Sequence, residues 1–484
     1  MEPIRIPLLH ISAFAPQIAV ILTAAVVLLV DLFKKDVERI NITLLALLGL
    51  AAAYLAALRL DPTIQPAFTG MVIRDGVSLY LDKLFLIGTA LIVLMSHPLS
   101  QRLTRSYAEY IFLLLTASLG MMCISVSADL MLLFLGIEIV SLCLYLLTGF
   151  DKKSLLSGEA SMKYLLLGSF ASGFLIYGIA FVFGVCRTTN MLAIGAAAPG
   201  AQGTPLLVLG FALMLAGLGF KISLVPFHAW APDVYQGAPT PITAWIATGS
   251  KVAGFAALVR VFSLPEMSFA PLGGLWTNAV WILSLLTMIV GNAGALAQAD
   301  IKRMLAYSSI AHGGYLSMAF VAHNEVGLQA LLFYLAAYLF MTAGAFACVN
   351  AATKKGEECK TISSFTSLAR QQPWLAGIFT LFLLSLAGMP PTAGFFGKVW
   401  LFGAAIQSGY YALAVIGVLT TMLSFYYYLR IAVVMWMKED GEEEFDPAPL
   451  SHALAISIAA FAVLLLGFFP NLIVKVINSG LAGL

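Results

Sequence analysis

The chain reads as a succession of long apolar runs separated by short polar stretches. Runs of about 20 residues, enough to cross a hydrocarbon core about 30 Å thick, recur nearly from end to end. They predict about fourteen transmembrane helices, over residues 12–33, 40–58, 77–96, 108–127, 129–150, 160–186, 204–226, 240–263, 275–298, 301–322, 327–352, 373–407, 410–437 and 450–474. Two of these runs hold prolines next to a charged residue. In the seventh, Pro226 follows Lys221; in the twelfth, Gly388, Pro390, Pro391 and Gly394 precede Lys398. Both helices are therefore predicted to be broken. A broken helix exposes backbone amides and carbonyls, which a membrane tolerates only against protein or a water-filled cavity.

Composition fixes the class. The chain is 61% hydrophobic and 10% charged, with a mean hydropathy of +0.95, which predicts an all-α polytopic membrane protein. The first run lacks a basic flank and a small-residue cleavage site, so it is expected to be retained rather than removed as a signal peptide. Five cysteines without a CxxC pair, and histidines without metal spacing, give no support for iron-sulfur, haem or zinc sites, so neither a cofactor nor a metal is expected in this chain. A net charge of +2 and the absence of a Gly-rich phosphate loop argue against nucleic acid as a partner. Basic residues gather in the loops after odd-numbered runs: Lys34, Lys35, Arg39, Arg102, Arg105, Lys152, Lys153, Lys302, Arg303, Lys354, Lys355, Lys360, Arg370 and Lys438. The loops after even-numbered runs hold only Arg59, Arg74, Arg187 and, at a helix end, Arg260. The odd loops are then cytoplasmic and both termini lie on the opposite, periplasmic side of a bacterial inner membrane.

Against this background, charges inside the runs stand out, because each costs about 2.5–3.5 kcal/mol near the bilayer centre on insertion scales. Lys221, Lys251 and Lys398 are flanked by apolar residues on both sides; the alternative to function is snorkelling to an interface. Glu138 is the acid at comparable depth, with a structural hydrogen bond as its alternative. His312 is either a proton shuttle or a satisfied core histidine. Glu159 and Lys163 are spaced i to i+4, as a simple ion pair or as part of a relay. Asp82 and Lys83 fall near enough to a run's end to be interfacial, Asp300 and Lys302 fit a cytoplasmic turn, and His228 and Asp233 fit capping of the Pro-rich turn 226–241 or a proton entry.

Some of these polar positions repeat. Glu138 to His312, Lys221 to Lys398 and Lys251 to Arg430 share a near-constant offset of about 175 to 180 residues. That offset suggests a duplication of about five helices, which places the second copy upside down in the bilayer. The implied division is 1–105 for three N-terminal helices, 106–264 for the first half-channel repeat, 273–438 for the second, inverted one, and 449–484 for a C-terminal helix.

Three stretches carry a resemblance: KISLVPFHAWAPDVYQGAPTPITAWIATGSK, ADIKRMLAYSSIAHGGYLSM and SLAGMPPTAGFFGKVW. They resemble the antiporter-like membrane subunits of proton-translocating NADH-quinone oxidoreductase, respiratory complex I, and within them the subunit N family, to which the DVYQGAP turn and a lysine at 398 point. The resemblance implies a fourteen-helix fold with two inverted five-helix half-channels, in a membrane arm without redox centres. NADH, FMN, iron-sulfur clusters and quinone would belong to other subunits, and the partners are neighbouring membrane-arm subunits, lipid, water and protons. Residue by residue, it implies site roles for Glu138, Lys163, Lys221, Lys251, His312 and Lys398, with Lys221 taking up a proton, Lys251 and His312 passing it laterally, and Lys398 releasing it. The helix breaks at Pro226, Pro390 and Pro391 would admit water. Burial disfavours a lysine's charged form and a nearby carboxylate favours it, so moving Glu138 would switch Lys221. A swing of two to three pKa units is worth about 3–4 kcal/mol, against about 2.3 kcal/mol for one charge moved through about 100 mV. The readings set beside this one are a subunit of a multisubunit cation/proton antiporter, which shares the fold, and a spacer in the membrane arm that pumps nothing.

Overall fold

The computed structural model describes residues 10–33, 39–101, 106–198, 204–262, 273–438 and 444–481. The readings that rest on the first nine residues, on the loop charges Lys34, Lys35, Arg102 and Arg105, and on the division points inside 263–272 lie outside the described residues. In order the chain forms α1 (Ala15–Phe33), α2 (Arg39–Leu58), β1 (Gln65–Ala67), β2 (Val72–Arg74), α3 (Gly76–Ser96), α4 (Tyr107–Ser125), α5 (Leu130–Thr148), α6 (Leu155–Cys186), α7 (Met191–Ala197), α8 (Pro205–Lys221), α9 (Trp230–Gly237), α10 (Thr240–Trp245) and α11 (Lys251–Phe262). It continues with α12 (Gly273–Leu296), α13 (Ile301–Ala322), α14 (Glu325–Ala351), β3 (Thr353–Lys354), β4 (Glu357–Glu358), α15 (Leu368–Gln371), α16 (Pro373–Ala387), α17 (Ala393–Gln407), α18 (Tyr411–Met437), α19 (Leu450–Phe468) and α20 (Pro470–Leu481). The strands make two antiparallel hairpins, β1–β2 and β3–β4. Among the described residues, eleven helical segments are long and apolar enough to cross a membrane, and α8 and α16 are shorter apolar helices. The chain is a mostly helical, multi-pass membrane protein.

Burial separates an inner from an outer set of helices, and the inner set is not the most apolar one. The segment Thr240–Phe262 and helix α14 are buried throughout their most apolar stretches; they form the centre and carry polar side chains, among them Lys251, Arg260 and Asn350, that lipid would not solvate. α14 packs against α10, α16, α17 and α19, while α6 pairs with α8 and α12 with α13. The outer helices α2, α6 and α18 leave Leu48, Phe170, Tyr177 and Met422 exposed, the surface expected of a chain whose solvent is lipid.

The structure departs from the periodicity at four places. α8 ends at Lys221 itself, ahead of Pro226, through a turn in which Ser223 takes a left-handed φ of 60°. The eighth run is not one regular helix: a π-helical turn over Ile246–Ser250 joins α10 to α11. The twelfth is broken, as the prolines predict, between α16 and α17. The fourteenth divides at Pro470, which starts α20 as proline commonly starts a helix.

A further departure concerns charge. Near the end of an apolar run, Asp82 reads as interfacial and Arg74 as a loop signal, yet both are fully buried and paired at 2.6 Å. Gln17 and Ser125, far away in sequence, complete the Asp82 carboxylate at 3.1 and 2.6 Å. Beside them Arg260 forks onto Asp75, at 2.6 and 2.8 Å, and donates to the Ser125 carbonyl at 2.6 Å. Asp75 also caps α3 through Ser78. Burial by itself pushes the Asp75 carboxyl up; Arg260 and the Ser78 hydrogen bonds outweigh it and hold the group below its ordinary value. Arg260→Leu leaves a buried unpaired carboxylate and is expected to destabilise the protein by about 3–5 kcal/mol. The check is the thermal midpoint and assembled amount of the complex, with partial recovery in Arg260→Leu/Asp75→Asn; an unchanged midpoint in the single variant would show that Asp75 does not need its partner.

Candidate functional site

The first buried lysine stands where a helix stops. Lys221 is the last residue of α8 and 8% exposed. The turn after it returns the Leu224 amide to the Gly219 carbonyl, and the Trp230 indole donates to the Phe220 carbonyl at 3.0 Å. The helix end is thus capped by protein, and a cation there also meets the negative end of the helix dipole. Lys221 Nζ donates to Ser141 Oγ at 2.6 Å, with the Phe220 and Tyr145 rings 5.7 and 5.9 Å away. Ser141 lies three residues after Glu138 on α5, and Glu138, half-buried, accepts from Ser172 of α6. No ion pair joins Lys221 to Glu138 among the described residues; the acid stands one turn before Ser141 on α5. Tyr145 Oη and Ser223 Oγ are buried without a partner among the described residues, the kind of group that ordered water satisfies in native proteins.

The second lysine follows the π-helical turn. Lys251, 1% exposed, donates to both oxygens of Ser309 on α13, to Oγ at 2.7 Å. Ser309 Oγ also accepts from Tyr338 at 2.8 Å and meets Tyr235 Oη at 3.2 Å. The approach from α8 to this ammonium is kept open by Gly313: a Cβ there would fall 3.1 Å from the Ile222 carbonyl oxygen and 3.7 Å from Lys251 Nζ. On the same helix His312, 1% exposed, contacts Tyr334 Oη through Nδ1 at 2.7 Å and Tyr428 Oη through Nε2 at 3.2 Å. Tyr428 in turn bonds Ser308.

The third lysine uses the other break. α16 stops at Gly388, whose φ of +90° suits glycine. Its last carbonyls, Leu386 O and Ala387 O, accept from Lys398 Nζ of α17 at 2.9 and 3.0 Å. The lysine is the cap of the helix before it, and the Tyr315 ring lies 5.0 Å from its ammonium. Tyr315 Oη accepts from Asn292 at 3.0 Å, and Asn292 accepts from Tyr427 at 3.0 Å. Pro390 and Pro391 lie in the linker after Gly388.

Lys163 stands apart from these three. Its side chain is 41% exposed and paired with Glu159 and Asp233, each at 2.7 Å. Asp233 also meets Arg303 at 2.5 Å, and Gln236 reaches Asp300 at 3.1 Å, so the Pro-rich turn is an ionic junction between α6, α9 and α13. Burial raises the Asp233 carboxyl, and Lys163 and Arg303 more than offset it, leaving the group below its ordinary value.

The structure therefore brings Lys251 of α11 and the hydroxyls of α9, α14 and α18 around Ser309 and His312 of α13, and sets Lys221 and Lys398 at two helix ends. Of the offset pairs, Arg430 does not match Lys251 in burial, being exposed on α18. Residue types missed by the sequence reading are the hydroxyls: Ser141, Ser309, Tyr235, Tyr334, Tyr338 and Tyr428. Only Tyr334 and Tyr338 left a signal, an i to i+4 spacing on one helix face. Among the described residues no group of three or more His, Cys, Asp and Glu side chains is arranged to hold a metal ion.

Comparison with known proteins gives a consistent result. The family described as "NADH:quinone oxidoreductase/Mrp antiporter, TM" matches residues 127–424. A protein of Trichlorobacter lovleyi named NADH-quinone oxidoreductase subunit N is 41% identical over 473 residues, 96% of either chain. A chain in the structure of respiratory complex I from Thermus thermophilus with bound aureothin is 34% identical, with a TM-score of 0.81 over 95% of this chain and 98% of that one. A chain of the Mrp complex from Dietzia sp. DQ12-45-1b shares the fold, with a TM-score of 0.84 at 20% identity over 98% of this chain and 96% of that one.

Proposed function

The chain belongs to the NADH:quinone oxidoreductase/Mrp antiporter family, on its subunit N branch, and from that premise we propose that it is the proton-translocating membrane-arm subunit of an NADH-quinone oxidoreductase. Quinone reduction, NADH, FMN and iron-sulfur clusters reside in other subunits, and this chain carries protons. The observation that carries the reading is a contrast between its buried cations. Arg74 and Arg260 are each locked onto a carboxylate. Lys221, Lys251 and Lys398, also buried, meet among the described residues only hydroxyls, carbonyls and aromatic rings. A buried ammonium without a counter-ion has a neutral form within reach, which a proton carrier requires and a structural ion pair does not.

In this reading fourteen spans include two inverted five-helix repeats over 106–264 and 273–438, between helices in 1–105 and 449–484, in a bacterial inner membrane with both termini periplasmic. Lys221 takes up a proton while Glu138 is close; Lys251 and His312 hand it on through the serine and tyrosine hydroxyls around Ser309 and Tyr428. Lys398 releases it to the far side. Glu138 acts on Lys221 by its charge across a gap rather than by direct pairing, and Lys163 with Glu159 and Asp233 couples α6 to the Pro-rich turn. The alternative of a cation/proton antiporter subunit shares only the fold with the Mrp chain, and a spacer would gain nothing from unpaired buried lysines.

Glu138→Gln tests the switch. It is expected to impair proton translocation in vesicles while the complex still assembles, because Gln keeps the size and the hydrogen bond with Ser172 but not the charge. Normal pumping in the assembled variant would remove Glu138 from the mechanism.

A further inference from the structure

One buried histidine takes no part in the relay described above. His452, on α19, is 4% exposed. Its Nε2 lies 3.0 Å from the Met95 carbonyl oxygen and 2.9 Å from Asn350 Nδ2, whereas Nδ1 has no partner among the described residues. The ring borders a cavity of about 280 Å³ between the end of α3, the β3–β4 hairpin and the segment before α19, also lined by Glu358 and Asp446. With Nε2–H and Asn350 Nδ2 both donating to Met95 O, the latter at 3.1 Å, Nδ1 is the nitrogen able to accept a proton.

This cavity does not end there. Glu358 also lines a second cavity, of about 300 Å³, with Asp300, Lys302 and the residues that join α9 to α10. The Glu358 carboxylate accepts from Thr240 Oγ1 at 2.6 Å. Thr240 is the first residue of α10, the helix that leads through the π-helical turn to Lys251. Glu358 therefore joins an enclosed histidine to the start of the lysine-bearing helix. The other charged or titratable groups around His452 are His97 at the end of α3 and Asp446; Lys354 is turned away onto the Phe445 ring, 4.4 Å distant.

We propose that the two cavities form a proton-loading site, in which His452 stores a proton drawn from the aqueous face and Glu358 passes it toward Lys251. The proposal rests on the proton-pumping reading above. The step is a proton transfer alone: a hydronium ion or the Asp446 carboxyl protonates Nδ1, the imidazolium returns that proton to the Glu358 carboxylate, and Glu358 gives it up in the second cavity. A carboxylate–imidazole pair suits the task, since histidine titrates closest to neutral pH.

A store matters most where bulk protons are scarce. The test uses inside-out vesicles carrying the whole complex, in which the proposed orientation turns both cavities outward. Proton translocation is measured at about pH 6 and about pH 8 for the parent, His452→Gln, Glu358→Gln and Glu358→Asp. The glutamine at 452 keeps an N–H for Met95 O but has no titratable nitrogen. The ratio of the alkaline to the acid rate is expected to fall several-fold in both glutamine variants and to recover in Glu358→Asp. Ratios equal to the parent's in both glutamine variants would overturn the proposal; if His452→Gln does not assemble, Glu358→Gln decides alone. Lys221→Ala, run in parallel, separates the two readings. Lost pumping there with unchanged ratios sinks only the loading site, and normal pumping there sinks the relay itself.

Discussion

Replacing Lys221 with alanine should cut proton translocation by the assembled complex by about tenfold or more, and slow quinone reduction with it because the two are coupled. The same change should leave assembly and thermal stability intact or improved. A lysine near the centre of a membrane costs about 2.5–3.5 kcal/mol, and losing the bond it donates to Ser141 Oγ leaves that hydroxyl's own hydrogen still bonded to the Ile137 carbonyl at 2.6 Å. No carboxylate is orphaned by the loss, in contrast to Arg260→Leu. Translocation and quinone turnover measured in one vesicle preparation, beside the thermal midpoint, give the check. Normal pumping and turnover in an intact complex would make Lys221 a tolerated cost and the chain a spacer.

Lys398→Arg should separate two jobs that one side chain performs. A guanidinium can still donate to Leu386 O and Ala387 O, so the end of α16 stays capped and the complex assembles. It stays protonated throughout the accessible range, so it cannot release a proton, and translocation is expected to fall by about tenfold or more. Lys398→Met does the reverse damage as well: two buried carbonyls lose their donor, at about 1–3 kcal/mol each, and the thermal midpoint drops. Proton translocation and midpoint are measured for both variants. An arginine variant that pumps like the parent would reduce Lys398 to a helix cap.

The spans were legible in the sequence because a hydrocarbon environment leaves a strong mark, a run of apolar residues of membrane length. The lysines were legible for the same reason: nothing but function or a partner keeps them there. The partners were not. Gln17 and Ser125 are separated from Asp82 by whole helices, and nothing local marks them, so a pair buried at a helix start read as an interfacial one. The π-helical turn before Lys251 is one extra residue in an otherwise helical run, too small a change for periodicity to reveal. Pro226 pointed to the right helix but not to its end, since α8 stops at Lys221 through Ser223 before the proline is reached. The serines and tyrosines around Ser309 are ordinary membrane-helix residues until packing makes them neighbours.

The closed pairs at Arg74–Asp82 and Arg260–Asp75 also have an electrical meaning. Each is neutral as a unit, so the membrane voltage does no work on it whichever way the protein moves. The three lysines have no such compensation, so the voltage can act on them, on Glu138 and on the proton in transit. The end of the molecule around the β1–β2 hairpin is then an electrically silent abutment, against which charge moves elsewhere in the chain.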